Sequence, residues 1–150
     1  MHMGINIEVG VVFIFLAVVA YQDLTTRLIR DWWTLPWIAF FLFYNGVQHH
    51  LEPSIIGLVG MGVLLFIPGL LGWLGGGDWK MGMALGAGGG LVPALLLFAL
   101  GFLLAPLLKT WLQRVSRRYV DEENAKLIPV GVLVFVADIL FSVGVLMIER

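Results

Sequence analysis

The chain has 150 residues, of which 60% are hydrophobic and 13% are charged, and its mean hydropathy is +0.97. A soluble domain of this size could not bury so much apolar surface, so the composition excludes a soluble globular protein and predicts an integral membrane protein. Because the chain contains no cysteine, disulfides, cysteine-based zinc sites and cysteine nucleophiles are excluded.

Apolar segments follow one another along the chain and predict an all-α, polytopic membrane protein with about six transmembrane or membrane-embedded helices in one domain, 1–150. The first segment has no basic stretch before it and no small-residue cleavage site, so we interpret it as a retained helix. Trp32 and Trp33 mark a membrane interface, and Pro53 marks a helix start. The predicted helices cover approximately residues 5–28, 33–47, 54–71, 79–88, 91–108 and 127–148.

The apolar stretch from Lys80 to Lys109 decides the predicted topology. It would be one helix unless it breaks at Gly88-Gly89-Gly90 and Pro93. Loops that face the cytoplasm are rich in Lys and Arg, and only a break places nearly all the basic residues on that side. We therefore predict a helical hairpin with both chain termini outside. The fourth helix would then be shorter than the hydrocarbon core of roughly 30 Å. The residues predicted to face the cytoplasm are Arg27, Arg30, Lys80, Lys109, Arg114, Arg117, Arg118 and Lys126.

Asp78 lies in the segment Gly75-Gly76-Gly77-Asp78-Trp79-Lys80, between two apolar stretches. A carboxylate at a membrane edge is costly, which indicates chemistry or ion handling. In the predicted topology, Asp23 lies at the cytoplasmic end of the first helix, at a depth similar to that of Asp78. Two such carboxylates can share a proton and activate a water molecule. Asp23 and Asp78 are therefore the predicted catalytic pair of an aspartic protease.

The glycines around Asp78 are predicted to bind the substrate or to shape the site. The run Gly75-Gly76-Gly77 permits positive φ and lets an extended substrate backbone approach closely. Gly82, Gly86 and Gly90 share one face of the short fourth helix, and we expect that face to pack tightly against a neighbouring helix.

The segment from Gly75 to Lys80 resembles the GxGDxK motif of the type IV prepilin peptidases, which include the archaeal preflagellin peptidases. In that family the other catalytic Asp comes early, in a pattern like D-x-x-x-R-x-I-P-N. Arg30 and Asp31 stand where Pro and Asn are usual, and a late Pro-hydrophobic-Gly element resembles Ile128-Pro129-Val130-Gly131. Three residues match the early pattern, namely Asp23, Arg27 and Ile29.

The resemblance implies an endopeptidase that cleaves the short basic leader of pilin, pseudopilin or archaellin precursors at the cytoplasmic face of the cell membrane. It implies Asp23 and Asp78 as the catalytic residues and neither a metal nor an organic cofactor. With no cysteine, the chain resembles the minimal form that lacks the cysteine-rich methyltransferase segment. The expected partners are a precursor substrate and the lipid bilayer, not nucleic acid. The oligomeric state stays open.

Asp138 leaves a second class of function open. It lies near the middle of the last predicted helix, and we interpret it first as a protonated acid that is hydrogen-bonded to a neighbouring helix. The alternative is a small proton-coupled transporter or channel subunit in which Asp23, Asp78 and Asp138 form a proton path. A presenilin-like protease is a remoter alternative, because those proteins carry a Tyr-Asp pair on the adjacent preceding helix, which this sequence lacks.

The remaining charges have structural interpretations. Asp23 could form an ion pair with Arg27 at i+4. Lys80 is interpreted mainly as an interfacial anchor, with a catalytic group as the alternative, and it is counted with Gly75, Gly76 and Gly77 among the residues that bind the substrate or shape the site. Asp31 and the run Asp121-Glu122-Glu123 are interpreted as solvated loop charges that also attract the basic leader of a substrate. The six tryptophans are interpreted as residues at the interface or facing lipid.

Overall fold

The computed structural model describes residues 2–26, 28–72, 74–116 and 129–148, without the side chains of residues 2–9, 113, 116 and 145–148. Within these ranges the chain is helical and contains no strand, which confirms the predicted all-α class. The helices are α1 (His2–Thr26), α2 (Asp31–Val47), α3 (Leu51–Leu70), α4 (Gly76–Gly89), α5 (Leu91–Ser116) and α6 (Val130–Ile148).

The main difference from the predicted helix bounds lies at the end of α5. This helix continues to Ser116, so Lys109 and Arg114 are helical rather than part of a basic loop. The reason is local, because after Pro106 no Gly or Pro interrupts the chain and several residues are good helix formers. The rest of the predicted basic segment, with Arg117, Arg118, Lys126 and the acidic run 121–123, lies outside the described residues.

Two helical segments are long and apolar enough to cross a membrane, Leu51–Leu70 and Leu91–Leu112. In each, only 22% of the most apolar window is buried, whereas the core helix of a soluble protein would be mostly buried. Two further apolar stretches, Gly10–Thr26 and Val130–Gly144, are shorter. Among the described residues, two helices could therefore span a membrane by length and composition, and the number of about six embedded helices stays a prediction.

The predicted break in the glycine-rich stretch is confirmed, since α4 and α5 are separated at Gly90. Gly90 has a φ of +84°, a conformation that glycine adopts without steric cost. With 14 residues, α4 is about 21 Å long. It is still shorter than a hydrocarbon core of roughly 30 Å.

The C-terminal end of α4 is hydrogen-bonded by side chains from two other helices. Asn45 of α2 donates from Nδ2 to the carbonyl oxygens of Ala87 at 2.8 Å and Gly88 at 3.2 Å. The Ser54 hydroxyl of α3 also donates to the Ala87 carbonyl. Both side chains are buried. Because the last carbonyls of a helix have no partner within it and are costly to leave unbonded away from water, these bonds explain why α4 can end here.

The chain divides into two compact units, the first comprising Met1–Phe15 and Ile29–Leu96. In this first unit the backbones of α3 and α4 touch. A Cβ atom built on Gly57 would lie 2.0 Å from the Gly86 carbonyl oxygen and 2.8 Å from the Gly90 carbonyl carbon. The predicted close packing along the glycine face of α4 is confirmed at these two positions.

The second unit comprises Leu16–Leu28 and Leu97–Arg150. Here Gly101 of α5 lets the backbone of α6 approach, since a Cβ at this position would lie 3.3 Å from the Leu133 carbonyl carbon. The core of this unit draws on α1, α5 and α6. Its members are Ala20, Leu24, Ala105, Leu108, Leu112, Val132, Leu133, Phe135 and Val136.

Candidate active site

Asp78 lies in the first turn of α4, in the first unit of the chain. Gly75 is the N-cap residue in an extended conformation (φ −72°, ψ 155°), and its N–H donates to Asp78 Oδ2 at 3.1 Å. This bond is half of a capping box, since Gly75 has no side chain to complete it. The half-buried carboxylate also lies at the positive end of the helix dipole. Local structure therefore stabilises a negative charge on Asp78.

Asp23 lies near the end of α1, in the second unit, and is only 6% exposed. Its Oδ2 accepts a hydrogen bond of 2.7 Å from the backbone N–H of Gly131 in the first turn of α6. A Cβ on Gly131 would lie 3.1 Å from both Asp23 Oδ2 and Val19 Cγ1. Glycine at 131 thus leaves room for the carboxylate to reach the N-terminus of α6, where backbone N–H groups stabilise a negative charge.

Ile29, in the loop before α2, lies against the start of α4. A Cβ built on Gly77 would lie 2.7 Å from Ile29 Cβ and 2.9 Å from the Ile29 carbonyl oxygen. Ile29 is buried. The early pattern that contains Ile29 and the later pattern that contains Gly77 therefore meet within the first unit.

Lys80 forms an ion pair with Asp31, with 2.5 Å between Lys80 Nζ and Asp31 Oδ2. Asp31 is the first residue of α2, so this pair joins the start of α2 to α4. Asp31 is exposed, so its interpretation as a solvated charge is confirmed, but it lies in the first turn of α2 rather than in a loop, and it has a cationic partner. Lys80 thus has a defined protein partner, and its interpretation as an interfacial anchor stays a prediction.

Comparison with known proteins decides the family. The model of the type IV leader peptidase family matches residues 10–109, a range that includes Asp23 and the whole segment Gly75–Lys80. The chain belongs to the type IV leader peptidase family. No curated protein and no solved structure matched the chain.

Membership of the type IV leader peptidase family confirms the resemblance drawn from the sequence. It makes the protein a peptidase and implies a pilin-like precursor as substrate. Together with the two long apolar helices, it indicates a membrane protein. The match ends before α6, so the contact between Gly131 and Asp23 lies partly beyond the matched residues.

The structure changes the interpretation of the glycine run before Asp78. Gly76 and Gly77 are helical, and among the described glycines only Gly72 and Gly90 have a positive φ. The expectation of a flexible, positive-φ loop at residues 75–77 is therefore wrong, because α4 begins earlier than predicted. Gly77 is needed for the close approach of Ile29 instead.

Trp79 has a contact that the sequence analysis missed. Its indole Nε1 donates to the Gly62 carbonyl at 2.7 Å, and its ring lies 5.9 Å from that of Phe66. This tryptophan thus packs α4 against α3 rather than facing lipid. The position of Trp79 between Asp78 and Lys80, on a short helix, was the sequence signal for this packing contact.

The remaining predictions concern the partner of Asp23, the role of Asp138, metal binding and the pairing of the two aspartates. The predicted partner of Asp23, Arg27, lies outside the described residues. Asp138 is 6% exposed, and its Oδ2 has no hydrogen-bond partner among the described residues, so the expected bond to a neighbouring helix is not seen at that atom. No group of three or more potential metal-ligating side chains occurs in the searched part of the chain. Asp23 and Asp78 belong to different units, and their pairing stays a prediction.

Replacing Gly77 with Ala is expected to destabilise the protein by about 1–3 kcal/mol, because the new Cβ would overlap the Ile29 backbone. Gly76→Ala is the matched control, since a Cβ there would meet nothing within 4 Å and Ala favours a helix. Thermal unfolding of the two variants in detergent measures the difference. Equal melting temperatures would show that Ile29 does not lie against Gly77.

Replacing Gly131 with Ala is expected to lower the rate of peptide cleavage about tenfold, because the methyl group would push the Asp23 carboxylate away from its N–H donor. Gly144→Ala, on the same helix and with nothing within 4 Å of the added Cβ, should leave the rate unchanged. Initial rates with a saturating precursor measure the effect. Wild-type turnover in Gly131→Ala would exclude Gly131 from positioning Asp23.

Proposed function

We propose that the protein is an intramembrane aspartic endopeptidase that removes the short basic leader from type IV prepilin-like precursors. Its substrates are pilin, pseudopilin or archaellin precursors, and cleavage takes place at the cytoplasmic face of the cell membrane, in which the chain is a multi-pass protein. The observation that carries the proposal is the family match over residues 10–109, because this range contains both Asp23 and Asp78.

In the proposed reaction, one of the two aspartates is ionised and takes a proton from a water molecule. The water oxygen then attacks the carbonyl carbon of the scissile peptide bond. The other aspartate, which is protonated, donates a hydrogen bond to the carbonyl oxygen as charge develops there. Collapse of the tetrahedral intermediate breaks the C–N bond, and the leaving amine takes up the proton that the first aspartate removed from the water. The reaction uses neither a metal nor an organic cofactor.

The surroundings of each carboxylate support this proposal. Asp23 is buried and bonded to the Gly131 N–H, and Asp78 is bonded to the Gly75 N–H at the start of α4. Fixed donors of this kind hold a catalytic carboxylate in one orientation. We assign Gly75, Gly76, Gly77 and Lys80 to the shaping of the site around Asp78.

The proposal is tested by incubating the purified protein, in detergent or liposomes, with a precursor that carries a basic leader followed by a hydrophobic segment. Mass spectrometry should detect the leader and the mature chain as two products of a single cut. A precursor whose leader Lys and Arg residues are replaced with Gln is the control, and it should be cut more slowly. Failure of the folded protein to cut pilin, pseudopilin and archaellin precursors would contradict the proposal.

A further inference from the structure

Two independent contacts hold the start of α4 against the loop before α2 and the start of α2. The first is the approach of Ile29 to Gly77, and the second is the ion pair between Asp31 and Lys80. We call these four residues the loop clamp. Gly77 and Lys80 are three residues apart on α4, so they lie on one face of the helix.

Asp78 lies between the two contact points along the chain but does not belong to the face that they share. Its carboxylate is bonded to Gly75 at the beginning of the same turn. Any rotation or fraying of this first turn would therefore displace the carboxylate. A short helix that starts with two glycines is prone to such motion, since glycine favours the helix least among the residues other than proline.

We propose that Asp31 is a positioning residue of the peptidase: through its ion pair with Lys80 it holds the first turn of α4, and with it the carboxylate of Asp78. The inference rests on the proposed function. Asp31 occupies the position at which the prepilin peptidases usually carry Asn, and a carboxylate makes a stronger, charge-assisted bond to a lysine than an amide does.

The solvent exposure of the Asp31–Lys80 ion pair determines whether its loss changes the turnover number or the melting temperature. The side chains of Lys80 and Asp31 are 27% and 58% exposed, and ion pairs this accessible to water add little to global stability. Loss of the pair should therefore change the orientation of the first turn of α4 and the turnover number. The melting temperature should stay close to that of the wild type.

A double-mutant cycle tests the proposal with a prepilin-like precursor. Asp31→Ala and Lys80→Met should each lower kcat about three- to fivefold with KM within about twofold of wild type. Asp31→Ala should have no further effect in the Lys80→Met background. Asp31→Asn keeps an acceptor oxygen and should recover part of the loss. Independent, additive losses in the double variant would overturn the proposal.

Glu52→Ala is the matched control for the cycle. Glu52 is an exposed acid in the first turn of α3, so its removal also deletes a negative charge at a helix N-terminus of the first unit. It should leave kcat unchanged. A loss equal to that of Asp31→Ala would show that any first-turn acid has this effect, and would overturn the specific role of Asp31.

Hydrogen exchange of α4 without substrate separates this proposal from the proposed function. In Asp31→Ala and in Lys80→Met, the backbone amides of residues 79–86 should exchange about three- to fivefold faster than in wild type, and no faster in the double variant. If no precursor is cleaved but exchange follows this pattern, the clamp stands and the proposed function fails. Unchanged exchange in both single variants overturns the clamp, whatever the activity.

Discussion

Asp23→Asn and Asp78→Asn are each expected to abolish cleavage of a prepilin-like precursor, with kcat lowered about 10³-fold or more. Asn has the shape of Asp but can neither take a proton from water nor pass one to the substrate. Its side-chain oxygen can still accept the hydrogen bond from Gly131 or Gly75, so both variants should insert into the membrane and unfold near the wild-type temperature.

The measurement is mass spectrometry of the precursor after prolonged incubation with each purified variant. Asp138→Asn is the matched control, because Asp138 has the same 6% exposure as Asp23 and belongs to the same unit. Its kcat should stay within about fivefold of wild type. Near-normal turnover in either Asp23→Asn or Asp78→Asn would remove the catalytic assignment.

The same three variants distinguish a peptidase from a proton-coupled transporter. A proton path through Asp23, Asp78 and Asp138 would make all three acids essential and would produce ion flux in liposomes. We expect no flux from the wild-type protein. Flux that disappears in Asp138→Asn, with no precursor cleaved, would instead support the transporter.

Gly57→Ala is expected to be the most destabilising of the glycine substitutions, at about 3 kcal/mol. The added Cβ would lie 2.0 Å from the carbonyl oxygen and 2.7 Å from the carbonyl carbon of Gly86, and 2.8 Å from the Gly90 carbonyl carbon. All three are backbone atoms, so no side chain can rotate away. Helices α3 and α4 would have to separate, and the packing of α4 would loosen.

Gly62→Ala is the control for Gly57→Ala, because it lies on the same helix and its added Cβ would make only ordinary contacts of 3.5 Å with Met83. The melting temperature and the cleavage rate should both fall in Gly57→Ala. Both should stay near the wild-type values in Gly62→Ala. A stability loss below about 1 kcal/mol in Gly57→Ala would mean that the two backbones do not touch at this crossing.

The helical class and the break at Gly90 could be predicted because both depend on local features. Hydropathy along the chain marks the helices, and three consecutive glycines followed by Pro93 favour a break in a long apolar stretch. The family could be recognised for a related reason, since the segment Gly75–Lys80 and the spacing from Asp23 to Ile29 are continuous in the sequence. Their match lies within residues 10–109.

The sequence by itself therefore determined that this is an all-helical protein of apolar composition, and it predicted Asp23 and Asp78 as the catalytic pair of a leader peptidase. Only the tertiary structure decided what each motif residue contacts. Gly131 donates to Asp23 across 108 residues, and Lys80 pairs with Asp31 across 49. The physical reason is that such bonds depend on how helices distant in the sequence pack together. Backbone contacts such as that of Gly77 with Ile29 produce no periodic pattern in the sequence from which they could be predicted.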